Sequence, residues 1–161
     1  MKEYSKYNYF PISLKLEGKP CLIVGGGKIA ERKLQKLILA GADITVLCRE
    51  PSKYISELFI NGQIKLAVRE YMKQDSKGFF LVFAATNDKA ANKKIVKECN
   101  KKHILCCAID KNWKNGSFIT PASFVNEEFL VSVSSNGSKC KDSKRLKNRI
   151  QSSLENKNVR N

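Results

Sequence analysis

The sequence predicts an α/β protein built on an open, mostly parallel β-sheet. Short apolar runs alternate with segments of helical periodicity, which is the pattern of parallel strands joined by crossover helices. Two of these runs, at 79–84 and 104–109, are apolar throughout, as strands buried on both faces of a sheet must be. A third observation is a turn of three glycines that separates the first apolar run from the first helical segment.

The glycine turn is the motif around which the fold is predicted. The apolar run 21–24 breaks at Gly25, Gly26 and Gly27, and a helical pattern then resumes. The spacing Gly25-x-Gly27-x-x-Ala30 is typical of a Rossmann-like dinucleotide-binding unit. Gly25 permits the turn, and Gly27 lets a pyrophosphate approach the backbone. Such spacing alone is also compatible with a plain flexible turn, but a second strand follows the helix at the expected distance.

The helix after this turn should face a phosphate with its N-terminus. Its first amides have no intrahelical partners, and they lie at the positive end of the helix dipole. Lys28 adds a cation there.

The remaining elements follow in order along the chain. An extended segment is expected at 9–16, at or beside the sheet, and Asn87 is expected to cap a helix that begins at Asp88. The stretch 69–78 is polar and receives no assignment. The other predicted strands lie at 43–48, 64–68, 79–84 and 104–109, and the other helices at about 53–59 and 88–101.

Beyond Asp110 the alternation of strands and helices stops, which predicts two domains, 1–112 and 113–161. Three short strand-like runs follow, and the last two, 122–125 and 129–134, should pair antiparallel. A sheet this small cannot bury both of its faces, so we expect a homodimer in which a second copy covers it. A basic helix from about 141 to 154 should follow, with 156–161 frayed.

Composition restricts the class of partner. The formal net charge of +15 over 161 residues predicts attraction to polyanions, although a lysine-rich composition need not reflect any partner. No apolar run reaches the ~20 residues of a membrane span, and the polar N-terminus lacks a signal core, so we expect no membrane insertion and a cytoplasmic location. The six cysteines have no CxxC pair, which predicts buried hydrophobes and no metal site.

The carboxyl ends of the parallel strands should bring the functional residues to one edge of the sheet. Thr86 follows one strand and could hydrogen-bond a ribose. Arg49 and Glu50 follow another, where a carboxylate usually accepts the ribose hydroxyls of NAD. Arg49 would instead suit the 2′-phosphate of NADP, and Glu50 would suit NAD, so the choice stays open.

Asp110 is the predicted catalytic residue. It is an acid at the end of a buried strand on the ligand edge, where it could accept a proton. The alternative is that it caps a helix or forms a turn.

Taken together, the motifs resemble those of the siroheme synthase N-terminal family, the precorrin-2 dehydrogenases, some of which are also sirohydrochlorin ferrochelatases. The resemblance covers about residues 9–150. It rests on Phe10-Pro11-Ile12, Gly25-Gly26-Gly27-x-x-Ala30-x-Arg32-Lys33, Leu39-Ala40-Gly41-Ala42, Phe83-Ala84-Ala85-Thr86-Asn87-Asp88 with Asn92, Phe118-Ile119-x-Pro121-Ala122 and Val133-Ser134-Ser135-x-Gly137.

The resemblance implies oxidation of precorrin-2, a polycarboxylate tetrapyrrole, to sirohydrochlorin in siroheme or cobalamin biosynthesis, with NAD as the cofactor. It leaves metal chelation into sirohydrochlorin open as a further activity. It implies a homodimer and an essential aspartate at Asp110. The cofactor positions it implies are Gly25, Gly26, Gly27, Lys28, Ile29, Arg49, Glu50 and Thr86.

The sequence also departs from the family pattern. Asn136 replaces a glycine in the serine loop, and the chain ends where the family usually continues into a helical domain. The alternative function is therefore a non-catalytic nucleotide-sensing or tetrapyrrole-carrier module. A nucleic-acid role is disfavoured, because the basic C-terminal helix has no interleaved aromatic residues to stack on bases.

Overall fold

The computed structural model describes residues 9–126 and 128–158. Within them, the chain forms two compact units, one from residues 12–118 and the other from residues 9–11 and 119–158. The predicted boundary near 112 stays a prediction. Residues 159–161, part of the segment expected to fray, lie outside the described residues. No helix of the described part combines the length and apolar character needed to cross a bilayer.

The first unit is a five-stranded sheet in which all neighbouring strands are parallel, as predicted. Its strand order is β3-β2-β1-β4-β5. The strands are β1 (Pro20–Val24), β2 (Asp43–Cys48), β3 (Lys65–Val68), β4 (Leu81–Ala84) and β5 (Leu105–Ala108). The connecting helices are α1 (Lys28–Leu39), α2 (Lys53–Ile60) and α3 (Lys89–Lys101), and a 3-10 helix (Lys111–Asn115) follows β5.

The core lies on both faces of this sheet. One apolar cluster contains Leu34 of α1 and Ile55 of α2, and the other contains Ile95 of α3. Adjacent residues of β5 point to opposite faces, so that Cys107 belongs to the first cluster and Cys106 to the second. All four residues of β4 are buried, as its unbroken apolar sequence predicts.

The second unit consists of β6 (Ala122–Val125), β7 (Leu130–Val133) and α4 (Cys140–Asn158). The two strands pair antiparallel, with Val125 opposite Leu130, as predicted. Within this unit, the Lys147 ammonium of α4 lies 5.7 Å from the centre of the Phe124 ring.

Several local predictions were wrong. Asp88, not Asn87, caps α3, because its Oδ1 accepts hydrogen bonds from the backbone amides of Ala90 and Ala91. The first of the three strand-like runs beyond Asp110, residues 117–119, is not a strand. The helix α4 extends four residues beyond its predicted end, to Asn158.

The sheet order reverses direction between β1 and β4, which is where ligands bind to open α/β sheets. The two strand ends meet closely at this point. Gly25 follows β1 with φ +129°, and a Cβ on it would lie 2.2 Å from the carbonyl oxygen of Ala85, which follows β4. The neighbouring strands hold Gly25 in place, since its amide donates to Leu47 O at 2.8 Å. Only glycine satisfies both the dihedral angle and the contact.

We therefore expect Gly25→Ala to lower the free energy of unfolding by about 2 kcal/mol or more, because the backbone at a strand end must move. Gly27→Ala is the matched control, since nothing lies within 4 Å of a Cβ there and its φ is −89°. Gly27→Ala should lower the free energy of unfolding by less than about 1 kcal/mol, the typical cost of replacing a helix N-cap residue. Urea denaturation followed by circular dichroism measures both. Equal losses of unfolding free energy in the two variants would contradict the close approach of Gly25 to Ala85.

Candidate functional site

The glycine turn is closely packed at Gly26 and open at Gly27. A Cβ on Gly26 would lie 2.5 Å from Glu50 O and 3.1 Å from Cys48 Sγ, so this residue is packed against the end of β2. Gly27 is exposed and is the N-cap of α1. Its extended backbone and open surroundings leave room for a ligand beside the helix end.

The N-terminus of α1 presents backbone amides that could bind an anion. Gly27 provides no side-chain cap for the first amides of the helix, which include those of Lys28 and Ile29. Both side chains are exposed, with Ile29 at 37%. Backbone donors at a positive helix end, next to a lysine and an uncrowded glycine, are the groups that hold a diphosphate. The residues present therefore fit a dinucleotide.

The end of β2 carries the two residues that could select the cofactor. Arg49 and Glu50 are both exposed. The Arg49 guanidinium lies 3.4 Å from Glu70 Oε1, so it already has an acidic partner. The Glu50 carboxylate forms no ion pair within the described residues. Burial raises the pKa of the preceding Cys48 thiol, which keeps it neutral.

The end of β4 is organised by a side chain of α3. Asn92 is fully buried, and its Oδ1 accepts hydrogen bonds from Thr86 N at 3.1 Å and Thr86 Oγ1 at 2.8 Å. Its Nδ2 donates to Thr86 O at 2.9 Å. The Thr86 hydroxyl also lies 2.9 Å from Asp88 O and accepts from Asp88 N at 3.2 Å. The Thr86 side chain is therefore engaged in shaping this loop.

Asp110 lies at the same edge, directly after β5. Its Oδ1 accepts from Asn112 N at 2.8 Å, and its Oδ2 accepts from Asn92 Nδ2 at 2.9 Å and Asn112 Nδ2 at 3.2 Å. It is the N-cap of the 3-10 helix, so the capping role weighed from the sequence is present. A carboxylate offers about four lone-pair sites, and these three bonds leave one on Oδ1.

The structure joins the predicted residues into two groups at this edge. Thr86 and Asp110 share Asn92 as a hydrogen-bond partner, whereas the backbone of Glu50, the residue after Arg49, lies next to Gly26 of the glycine turn. From the sequence, Asn92 supports only the family resemblance, as a motif residue with no predicted role in the site. A polar residue on the buried stripe of α3, which otherwise contains Ile95, Val96 and Cys99, was the available signal.

No cluster of three or more His, Cys, Asp or Glu side chains that could hold a metal ion is found among the described residues. Five of the six cysteines are buried, and Cys140 is exposed. Burial raises the pKa of the Cys107 thiol as well.

Comparison with known proteins identifies the family. The model of an NAD(P)-binding family matches residues 12–122, which is more than half of the chain. Siroheme synthase 3 of Aeromonas hydrophila is 37% identical over 130 residues, covering 81% of this chain and 28% of that protein. Siroheme synthase of Methylococcus capsulatus is 37% identical over 147 residues, covering 91% of this chain and 31% of that protein.

A solved structure is also similar. "SirC, precorrin-2 dehydrogenase" superimposes with a TM-score of 0.79 at 30% sequence identity, covering 90% of this chain and 71% of that chain. The chain spans 28% of the length of the Aeromonas hydrophila protein and 31% of that of the Methylococcus capsulatus protein. By these matches, the chain belongs to the NAD(P)-binding family and, within it, to the siroheme synthase N-terminal family.

Proposed function

We propose that this protein oxidises precorrin-2 to sirohydrochlorin with NAD as the hydride acceptor. The observation that carries the proposal is the position of the Asp110 carboxylate, which Asn92 ties to the Thr86 loop at the edge bearing the glycine turn. The names of the similar proteins, two siroheme synthases and a precorrin-2 dehydrogenase, support the same reaction.

The residues of the glycine turn would bind the cofactor. The amides at the start of α1, with Lys28 beside them, would hold the diphosphate, and Ile29 would line its path. Gly26 and the neighbouring Glu50 would bound the adenosine ribose, and the loop at Thr86 would lie against the nicotinamide half. Once bound, the nicotinamide ring supplies the site that accepts a hydride.

Asp110 would take the proton that leaves precorrin-2. The oxidation removes two hydrogens, one as a hydride and one as a proton, so precorrin-2 and NAD⁺ yield sirohydrochlorin, NADH and H⁺. The free lone pair on Oδ1 is the acceptor that the described hydrogen bonds leave available. The positively charged chain would attract the polycarboxylate substrate and speed its capture.

Asp110→Asn tests the function directly, because it keeps the size and the Oδ1 cap, whereas its amide can accept neither the proton nor the hydrogen bonds that reach Oδ2. We expect kcat to fall by at least about 100-fold, the usual contribution of a general base, while NAD affinity is retained. The readout is the anaerobic formation of sirohydrochlorin and NADH from precorrin-2. Asp43→Asn is the control, since Asp43 pairs with Lys65 at the start of β2 and should keep wild-type activity.

Full activity in Asp110→Asn would refute the assigned base. A wild-type protein that binds NAD or the tetrapyrrole without turnover would instead support the nucleotide-sensing or carrier alternative.

The preference for NAD over NADP is a separate part of the proposal. Glu50, which has no ion pair within the described residues, would accept the ribose hydroxyls, whereas Arg49 is engaged by Glu70. We expect Glu50→Gln to weaken NAD binding about 10-fold, as loss of a hydrogen bond to a charged group does. Arg49→Gln should leave NAD binding within about 2-fold of wild type. Fluorescence titration measures both, and tighter binding of NADP than of NAD by the wild type would contradict the assignment.

We also propose a homodimer that buries the strands of the second unit. Val125 and Leu130 pair across this small sheet, yet they are 71% and 60% exposed. Paired apolar side chains this exposed are typical of an interface. Leu130→Glu should shift the protein from dimer to monomer in sedimentation velocity. Leu39→Glu, at an 87% exposed site at the end of α1, is the control and should stay dimeric. A monomeric wild type would refute the dimer.

A further inference from the structure

We infer that Asn92 is a positioning residue: its buried side-chain amide fixes the direction of the Asp110 carboxylate relative to the Thr86 loop. The catalytic consequence of this inference rests on the proposed function. The positioning itself does not depend on the proposed function, because it rests on hydrogen bonds that connect three separate parts of the chain.

The orientation of the Asn92 amide is determined by its partners. On one side, Oδ1 faces two donors, the backbone amide and the hydroxyl of Thr86. On the other side, the two Nδ2 hydrogens face two acceptors, Thr86 O and Asp110 Oδ2. Rotating the amide by 180° would place its oxygen against the carboxylate and its NH₂ group against the Thr86 amide. Only one orientation is therefore compatible with this site.

Burial makes this orientation persistent. Asn92 has 0% exposure, so water cannot replace a lost partner. The only other side chain that donates to Asp110 within the described residues is that of Asn112, and its Nδ2 also donates to Lys89 O at 3.0 Å. Both side-chain donors to Oδ2 are thus anchored at α3. Oδ2 accepts two hydrogen bonds and Oδ1 accepts one, from Asn112 N, which leaves a lone pair of Oδ1 for the reacting proton.

Asn92 also links the two strand ends that the reaction needs together. One carboxamide connects Thr86, after β4, with Asp110, after β5. A shift of the Thr86 loop would therefore move the carboxylate as well. An apolar residue would fill this inward position of α3 but could not transmit such a constraint.

The first test compares the near-isosteric Asn92→Asp with Asn100→Ala. Asn92→Asp keeps the oxygen that accepts from Thr86 and replaces the donor to Asp110 by a second carboxylate oxygen. We expect kcat to fall about 10- to 100-fold at neutral pH, with KM for precorrin-2 and NAD within about 3-fold of wild type. The loss should grow as pH rises, because two adjacent carboxylates must share a proton to stay in place.

Asn100→Ala is matched to it, since Asn100 is also on α3 and its Nδ2 donates to Asn115 O at 2.8 Å, but it does not contact Asp110. It should retain wild-type kcat at every pH. A merely structural role for Asn92 predicts lower thermal stability and a changed KM, without a pH-dependent loss of kcat. Wild-type kcat in Asn92→Asp would overturn the inference.

The second test does not depend on activity or on changing Asn92. In ¹⁵N–¹H spectra, both side-chain amide protons of Asn92 should exchange slowly with water in the wild type. Asp110→Ala should shift one of them and make it exchange at least about 10-fold faster, since one of its hydrogen bonds is lost. Unchanged signals would overturn the inference. A wild-type protein without turnover but with these spectral changes would refute the proposed function alone.

Discussion

The whole site depends on the close approach of two strand ends. The backbone of Gly25, at the end of β1, lies so near Ala85, at the end of β4, that no side chain fits between them. This contact occurs where the sheet order reverses, between the strands that lead to α1 and to the loop containing Thr86, and open α/β sheets bind ligands at such a point. Since β5 pairs with β4, the carboxylate that follows it is brought to the same edge. The close approach and the β4–β5 pairing thus bring the amides proposed to bind the diphosphate and the proposed base to one edge of the sheet.

The hydrogen bonds at this edge show that the capping role of Asp110 leaves one lone pair of Oδ1 for the proposed proton transfer. As an N-cap, the carboxylate receives donors that also hold it still. A base held in this way loses little conformational entropy when it meets its substrate, which is one source of catalytic rate. The buried Asn92 supplies the connection to the neighbouring strand. In the described part of the chain, no comparable network holds Arg49, whose contact is an exposed ion pair of 3.4 Å.

Patterns of local origin were predictable, whereas contacts between distant residues were not. The bounds of β2 match the prediction, because its apolar run is bordered by residues that end a strand. The capping residue of α3 was missed because Asn87 and Asp88 are both good caps, and only the bonds to Ala90 and Ala91 distinguish them. The helical periodicity marks Asn92 as a polar residue on a buried stripe, but it does not reveal its partners, which are 6 and 18 residues away. Arg49 was likewise predicted without its partner Glu70.

The most direct test of the account is a ¹⁵N–¹H titration of the wild-type protein with NAD. The account predicts that the backbone amides of Gly27, Lys28 and Ile29 shift first and furthest, because they would receive the diphosphate. The amides of Gly18 and Gly41, which lie before β1 and β2 and donate to Gly41 O and Ile38 O respectively, should remain unchanged. Shifts confined to residues away from the glycine turn, or no shifts at millimolar NAD, would contradict it.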